Sequence, residues 1–273
     1  MKNRSILRHT LFIVCAMFIA PAQAGSSIVL ATTTSTQNSG LLDAILPDFT
    51  QQTGIEIKVI AVGTGKALRM GCDGDADVVL VHAANAEKKF IADGCGQARN
   101  PVMYNDFVIV GPQGDPAKLH SAQSLVDAMK HLQQASALFV SRGDDSGTHK
   151  KERSLWKIAG IIPGGNRYRE AGQGMGKVLQ MAGELNAYTL TDRGTWLAFK
   201  NKSPLSIAFE GDASLNNPYS IIPVSPIKYP DINAKGAEAL TRWIRSDATQ
   251  ALIGNFKVNG EKLFNPSANT VSN

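Results

Sequence analysis

Cysteine is scarce in this chain of 273 residues, with three in all. No His pair accompanies them at zinc-ligand spacing, which argues against a structural zinc site. The chain also lacks a phosphate-binding loop of the G-x-x-x-x-G-K-[ST] type. It has no G-x-S-x-G nucleophile elbow, which speaks against an α/β-hydrolase. Beyond the N-terminal segment no apolar run is long enough to span a bilayer. There is no internal repeat and no low-complexity segment. A strong excess of one charge is missing too, once the N-terminus is considered.

That N-terminus reads as an export signal. Lys2, Arg4 and Arg8 form a basic start, residues 11–20 an apolar centre, and Ala22-Gln23-Ala24 an A-x-A cleavage pattern. Residues 1–24 are therefore expected to leave, and the mature chain to begin at Gly25. The formal charge then falls from +5 to +2, so the basic balance belongs largely to the signal and nucleic acid is not an expected partner. The expected location is the periplasm. Cys15 departs with the signal. Cys72 and Cys95 remain as an even pair in an oxidising compartment, which reads as one structural disulfide; two free thiols or a metal site are the rival readings.

Strand and helix signals alternate. Residues 27–31, 55–62, 76–81 and 104–111 read as strands. Leu41, Leu42, Ile45, Leu46 and Phe49 recur at helical spacing, with Gly54 as a stop. Helices are expected from Lys66, over 86–92 and over 121–134, and a strand ends at Val140. This rhythm predicts an α/β fold with mostly parallel sheets. The last third is less regular: a helix after Gly174, a strand over 187–190, strands at 205–209 and 221–224 around an exposed Asn216-Asn217-Pro218 turn, and one closing helix over 237–253. The stretch 111–116 is the expected domain junction.

Two segments carry chemistry. Ser141-Arg142-Gly143-Asp144-Asp145-Ser146-Gly147-Thr148-His149 joins an apolar strand to a helix. Thr32-Thr33-Thr34-Ser35-Thr36 stands in a similar place earlier. Helix starts expose backbone N–H groups and the positive end of the helix dipole, a setting suited to an oxyanion. Each has an ordinary alternative: Arg142 pairing with Asp144 or Asp145 at the surface, and the threonine run serving only as a capped loop. Val62-Gly63-Thr64-Gly65 is either a turn or a third donor loop. Asp192-Arg193 reads as a salt bridge or cap, and His82 as structural. Asp145, Ser146 and His149 offer triad types, but residues this close in sequence seldom reach triad geometry. No enzyme activity and no cofactor are expected; a hydrolase using Ser146 is the remote alternative.

These segments, with 77–83, 104–112, 171–176 and 187–195, stand in an order that resembles the tungstate-binding proteins of ABC importers. The resemblance spans nearly the whole mature chain. It implies a type II periplasmic binding protein: two α/β lobes, a ligand cleft between them, and a membrane permease with its ATPase as partners. The expected division is lobe 1 over 25–106, lobe 2 over 107–225 and a return to lobe 1 over 226–273, in a monomer. The Cys72/Cys95 pair lies outside the resemblance.

Tungstate and molybdate are dianions that offer only acceptors, so their site should supply donors. Thr33, Thr34, Ser35, Thr64, Arg142, Ser146, Gly147 and Thr148 form the expected ligand set. Arg142 gives a charge-assisted contact, the hydroxyls give O–H donors and the backbone gives N–H groups. Phosphate or sulfate is the alternative ligand; hydrogen phosphate would gain from a carboxylate acceptor, for which Asp144 or Asp145 is available.

Overall fold

A computed structural model describes residues 27–268. The export signal over 1–24 lies outside the described residues. The first third runs β1 (Ser27–Thr33), α1 (Thr34–Asn38), α2 (Leu41–Thr53), β2 (Glu56–Val62), α3 (Thr64–Asp73), β3 (Val78–Val81) and α4 (Ala84–Ala92). The middle runs β4 (Asn100–Pro112), α5 (Leu125–Gln134), β5 (Phe139–Ser141), α6 (Gly147–Ile158), β6 (Tyr168–Glu170), α7 (Met175–Glu184), β7 (Thr189–Asp192), α8 (Arg193–Phe199) and β8 (Leu205–Phe209). The chain ends in β9 (Asn216–Pro223), α9 (Ala234–Ile244), α10 (Asp247–Asn255), β10 (Lys257–Val258), β11 (Glu261–Lys262) and β12 (Asn265–Pro266).

The α2 stripe behaves as its spacing requires. Leu41, Leu42, Ile45, Leu46 and Phe49 are all buried, and Gly54 ends the helix in the left-handed region, with φ +70°. Burial of side chains of this size is worth roughly 1.5–3 kcal/mol each, which outweighs the modest helix propensity of a segment containing Pro47.

β1 runs parallel to β2 and β3, with Thr33 opposite Val62 and Thr32 opposite Leu80. β9 joins β3 antiparallel, and β4 joins β9 antiparallel. The sheets are therefore mixed rather than mostly parallel. Strand direction is set by connections, and β4 and β9 each run back against their neighbours.

β4 is the strand that organises the rest. Its residues 100–106 pair with β9, and Phe107–Val110 pair with β7, while Ile109–Pro112 pair with β8. The partners change between Asp106 and Phe107, inside the strand. Arg193 clamps this point: its Nε donates to Asp106 at 2.5 Å and a terminal nitrogen reaches Glu210 at 2.6 Å. These ion-paired hydrogen bonds hold the Arg193 pKa above the ordinary guanidinium range, although burial works against them. The structural reading of Asp192-Arg193 is thus met, since Asp192 also caps α8 through the Thr195 N–H at 2.9 Å.

Three apolar clusters fill the layers. One lies under β1, α2 and α9 and extends to α7 and α8. A second packs α5, α6 and the far half of β4. A third joins α3, α4 and the outer face of β1 and β3.

Two other expectations are corrected. Asn217 is buried inside β9, paired opposite Asn105, so residues 216–218 are a strand start and not an exposed turn. The closing helix is two helices, because the Ser246 hydroxyl accepts from Thr249 N–H and starts α10 afresh.

Cys72 and Cys95 form a disulfide with their Cα atoms 4.9 Å apart. It ties the end of α3 to the segment after α4. In the chain-entropy relation a loop of this size is worth roughly 3 kcal/mol. The Cys72→Ser/Cys95→Ser protein is therefore expected to unfold at a lower denaturant midpoint, by about that amount. An unchanged midpoint would show that the bridge does not support the fold.

Candidate functional site

The registers bring strand ends together. β1 and β3 point their carboxyl ends toward the start of β9, where Asn217 faces Asn105 and Asn216 faces Asp106. From the other side, β7 ends at Asp192 opposite Phe107, and β5 runs parallel to that segment through a Phe139–Tyr188 bridge. Both sets of strands end where β4 changes partners. In α/β folds ligands bind outside such ends.

Thr33 ends β1 and caps α1. Its hydroxyl accepts from Thr36 N–H at 3.2 Å and lies 2.7 Å from the Thr36 hydroxyl and 3.0 Å from the Ser35 hydroxyl. Thr34 and Ser35 are the exposed first residues of α1. Thr64 is the first residue of α3, next to the cap position Gly63, and the Thr33–Val62 register places it beside the α1 start. These three helix-start donors share one sheet edge.

His82 lies behind them and is more than a packing residue. Its Nε2 is 3.2 Å from the Thr33 hydroxyl and 3.3 Å from that of Ser35, while its Nδ1 is 3.0 Å from Asn217 Oδ1. Asn217 donates onward to Asn105 Oδ1 at 2.8 Å, and Tyr219 stacks on the imidazole at 4.5 Å. Burial pushes the His82 pKa down, against smaller opposing effects of Asn217 and Asp192. The sequence held a signal for this in a lone His one residue past a fully apolar strand, but its partner is 135 positions away.

The second half-site is the loop into α6. Ser146 caps the helix, accepting from His149 N–H at 3.3 Å, and Gly147 and Thr148 form its first turn. α6 therefore starts at Gly147. Arg142 Nε donates to Asp144 Oδ2 at 2.7 Å, so the local pairing is real. Its terminal nitrogens have no protein partner among the described residues and remain free to donate. Asp144 also accepts from Ser146 N–H at 3.1 Å. Partial burial pushes the Asp144 carboxyl up, but the Ser146 and Arg142 contacts outweigh it and the net shift is downward. Asp145 pairs with Lys150 at 3.1 Å, with its carboxylate well exposed.

The loop is braced from below. Buried Glu152 accepts from the hydroxyls of Ser141 and Tyr168, each at 2.7 Å, and from Trp156 Nε1 at 3.2 Å. Burial pushes its carboxyl up in spite of these bonds. Lys151, one turn into α6, donates to the Asn216 carbonyl at 2.9 Å and sits 5.7 Å over the Phe107 ring. Sequence reasoning passed over Lys151, Asn216 and Asn217.

The two half-sites share no direct hydrogen bond or ion pair among the described residues. They meet through consecutive residues of β9: Asn217 holds His82 and so the Thr33/Ser35 pair, and Asn216 holds Lys151 and so α6. No triad forms, because the His149 ring takes the Asp145 N–H and not the Ser146 hydroxyl. The groove lined by Leu132, Gln133, Phe139, Trp156, Arg167 and Tyr168 mixes polar and apolar groups and lies at the other end of α6.

Two strand groups that share the long strand β4 are the arrangement of a two-lobed solute-binding protein. Residues 20–248 match the PBP superfamily domain. The chain is 53% identical to the tungstate-binding protein TupA of Peptoclostridium acidaminophilum, over 92% of this chain and 89% of that one. The solved structure of the tungstate-binding protein TupA from Desulfovibrio alaskensis G20 superposes with TM-score 0.85 at 46% identity, covering 89% of this chain and 99% of that one. That of the tungstate ABC transporter protein from Geobacter sulfurreducens gives 0.75 at 51%, over 84% and 98%. The chain belongs to the PBP superfamily and, within it, to the family of the TupA proteins, which are binding proteins and not enzymes.

Gly143 shows how tightly the second loop is seated. Its φ is +62°, and a Cβ there would lie 2.7 Å from the Glu170 Cβ. Gly143→Ala is expected to lower stability by about 1–3 kcal/mol through backbone strain and this contact. Chemical denaturation measures it; a loss below a few tenths of a kcal/mol would show that the loop yields freely.

Proposed function

We propose that this chain is the periplasmic receptor of an ABC importer and that it captures tungstate, or the near-isosteric molybdate, as a dianion. Its partners are then a membrane permease and an ATPase, and the working unit is the monomer. Residues 1–24 serve as the export leader, and no helix among the described residues is long and apolar enough to cross a membrane.

The observation that carries the reading is that the two helix-start loops are tied, through His82 and Lys151, to the consecutive residues Asn217 and Asn216 of β9. Thr33, Thr34, Ser35 and Thr64 supply hydroxyl and N–H donors from the lobe formed by 25–106 and 226–273. Arg142, Ser146, Gly147 and Thr148 supply theirs from the lobe formed by 107–225. The relatives named as tungstate-binding support the ligand. Hydrogen phosphate is the weaker candidate, because Asp144 is folded back on Arg142 and Ser146 and Asp145 is turned to Lys150. Both carboxylates already accept within the loop, which weakens them as acceptors for a ligand hydroxyl.

Isothermal titration of the mature protein with tungstate, molybdate, sulfate and phosphate tests this. Tungstate and molybdate are expected to bind far more tightly than phosphate; preferential phosphate binding would overturn the reading. Arg142→Ala is expected to weaken tungstate binding by roughly 1.5–3 kcal/mol, the worth of a charge-assisted hydrogen bond. Lysine there should restore charge without the planar fork. An unchanged dissociation constant would remove Arg142 from the site. An anion held by both lobes favours the closed form. Small-angle scattering should then show a smaller radius of gyration with saturating tungstate, and an equal radius would indicate a preformed site.

A further inference from the structure

His149 lies behind the Arg142–Ser146 loop, and the geometry fixes which of its nitrogens carries hydrogen. The Asp145 backbone N–H, which can only donate, points at Nδ1 from 3.0 Å. Nδ1 must therefore present its lone pair, and the neutral ring carries its proton on Nε2. Nε2 is buried and has no hydrogen-bond partner among the described residues; Glu170 Oε1 is 3.6 Å away. Asp145 is held in the left-handed region, with φ +56°, and Ser146, directly after it, caps α6. The bond into the imidazole thus fixes the turn that delivers Ser146 to the helix start.

We propose that His149 is a positioning residue for the anion site: as the neutral Nε2–H tautomer it holds the loop over residues 142–146 in binding geometry, and protonation at Nδ1 releases that loop and the anion. The inference rests on the reading of this loop as half of an anion site.

The groups facing the ring decide the sign. Glu170 approaches from β6, Glu152 from α6 itself, and Asp145 from the loop, its carboxylate held by Lys150. A proton on Nδ1 would face the Asp145 N–H, and two donor hydrogens cannot share one N···N gap. The binding-competent loop therefore carries one proton fewer than the released loop. Lowering the pH depletes the competent form, and affinity falls with it.

Two substitutions separate positioning from bulk. His149→Asn places an oxygen acceptor near the Nδ1 position and cannot titrate. His149→Gln puts its amide near the Nε2 position and leaves the Asp145 N–H unpaired. Long-range proton–nitrogen NMR of histidine-labelled wild-type protein reads the tautomer without any ligand. The Nε2–H form is expected at His149; the Nδ1–H form would overturn the proposal. Titration with sodium tungstate follows at about pH 8 and about pH 6, the range in which an ordinary imidazole titrates. Wild-type affinity should fall on the order of tenfold toward the lower pH, the size expected for loss of one buried hydrogen bond. The Asn variant should stay within about threefold of wild type at the higher pH and show little slope, and the Gln variant should be about tenfold weaker at both. Equal slopes in wild type and the Asn variant, or full affinity in the Gln variant, would overturn it. Wild-type protein that binds no tungstate at either pH overturns the functional reading, and the pH-dependent release with it.

Discussion

β4 is a single strand of thirteen residues that belongs to two groups of partners, and the geometry of the candidate site depends on that continuity. Pairing fixes register, and register fixes where each partner strand ends. With residues 100–106 committed to β9 and Phe107 onward committed to β7 and β8, the carboxyl ends of β1 and β3 arrive from one side and those of β5 and β7 from the other. Asp106 sits at the change of partner, held by Arg193, and β9 starts directly opposite it.

The chemistry of the donors follows from the same placement. Arg142 gives its Nε to Asp144, so the pair brings little net charge, and its terminal nitrogens act chiefly as directed donors. A helix start contributes roughly 0.3–1 kcal/mol toward a charge at its end. Each hydrogen bond to a charged acceptor contributes roughly 1.5–3 kcal/mol. Directional N–H and O–H groups therefore outweigh the dipoles in a site of this composition. Their orientation matters correspondingly, and buried Glu152, His82 and His149 each hold a donor loop from behind.

Much of this was legible locally. The α2 stripe, the glycine stop at Gly54 and the hydroxyl cap within the Thr32–Thr36 run are signals within a few residues of the structure they specify. The Cys72/Cys95 pair was legible by count. The sheet direction was not, because parallel and antiparallel strands carry the same apolar runs and only the connections distinguish them. The Asn216-Asn217-Pro218 segment has turn composition, yet Asn217 is buried because His82 and Asn105, each more than a hundred positions away, satisfy its amide. No glycine or proline separates Ile244 from Asp247, which hides the break that the Ser246 cap introduces. The supporting residues escaped for the same reason: His82 and Lys151 act through strand β9, which lies far from both in sequence.

The central claim is that one oxyanion is held by both half-sites at once. Crystals of the mature protein grown with tungstate, with anomalous data collected at the tungsten edge, locate the metal centre directly. The account places a tetrahedral anion within hydrogen-bonding distance of the Thr33–Ser35 segment and of Arg142 and Ser146 together, between the ends of β1 and α6. Tungsten found against only one of these loops, or in the groove at the far end of α6, would contradict it.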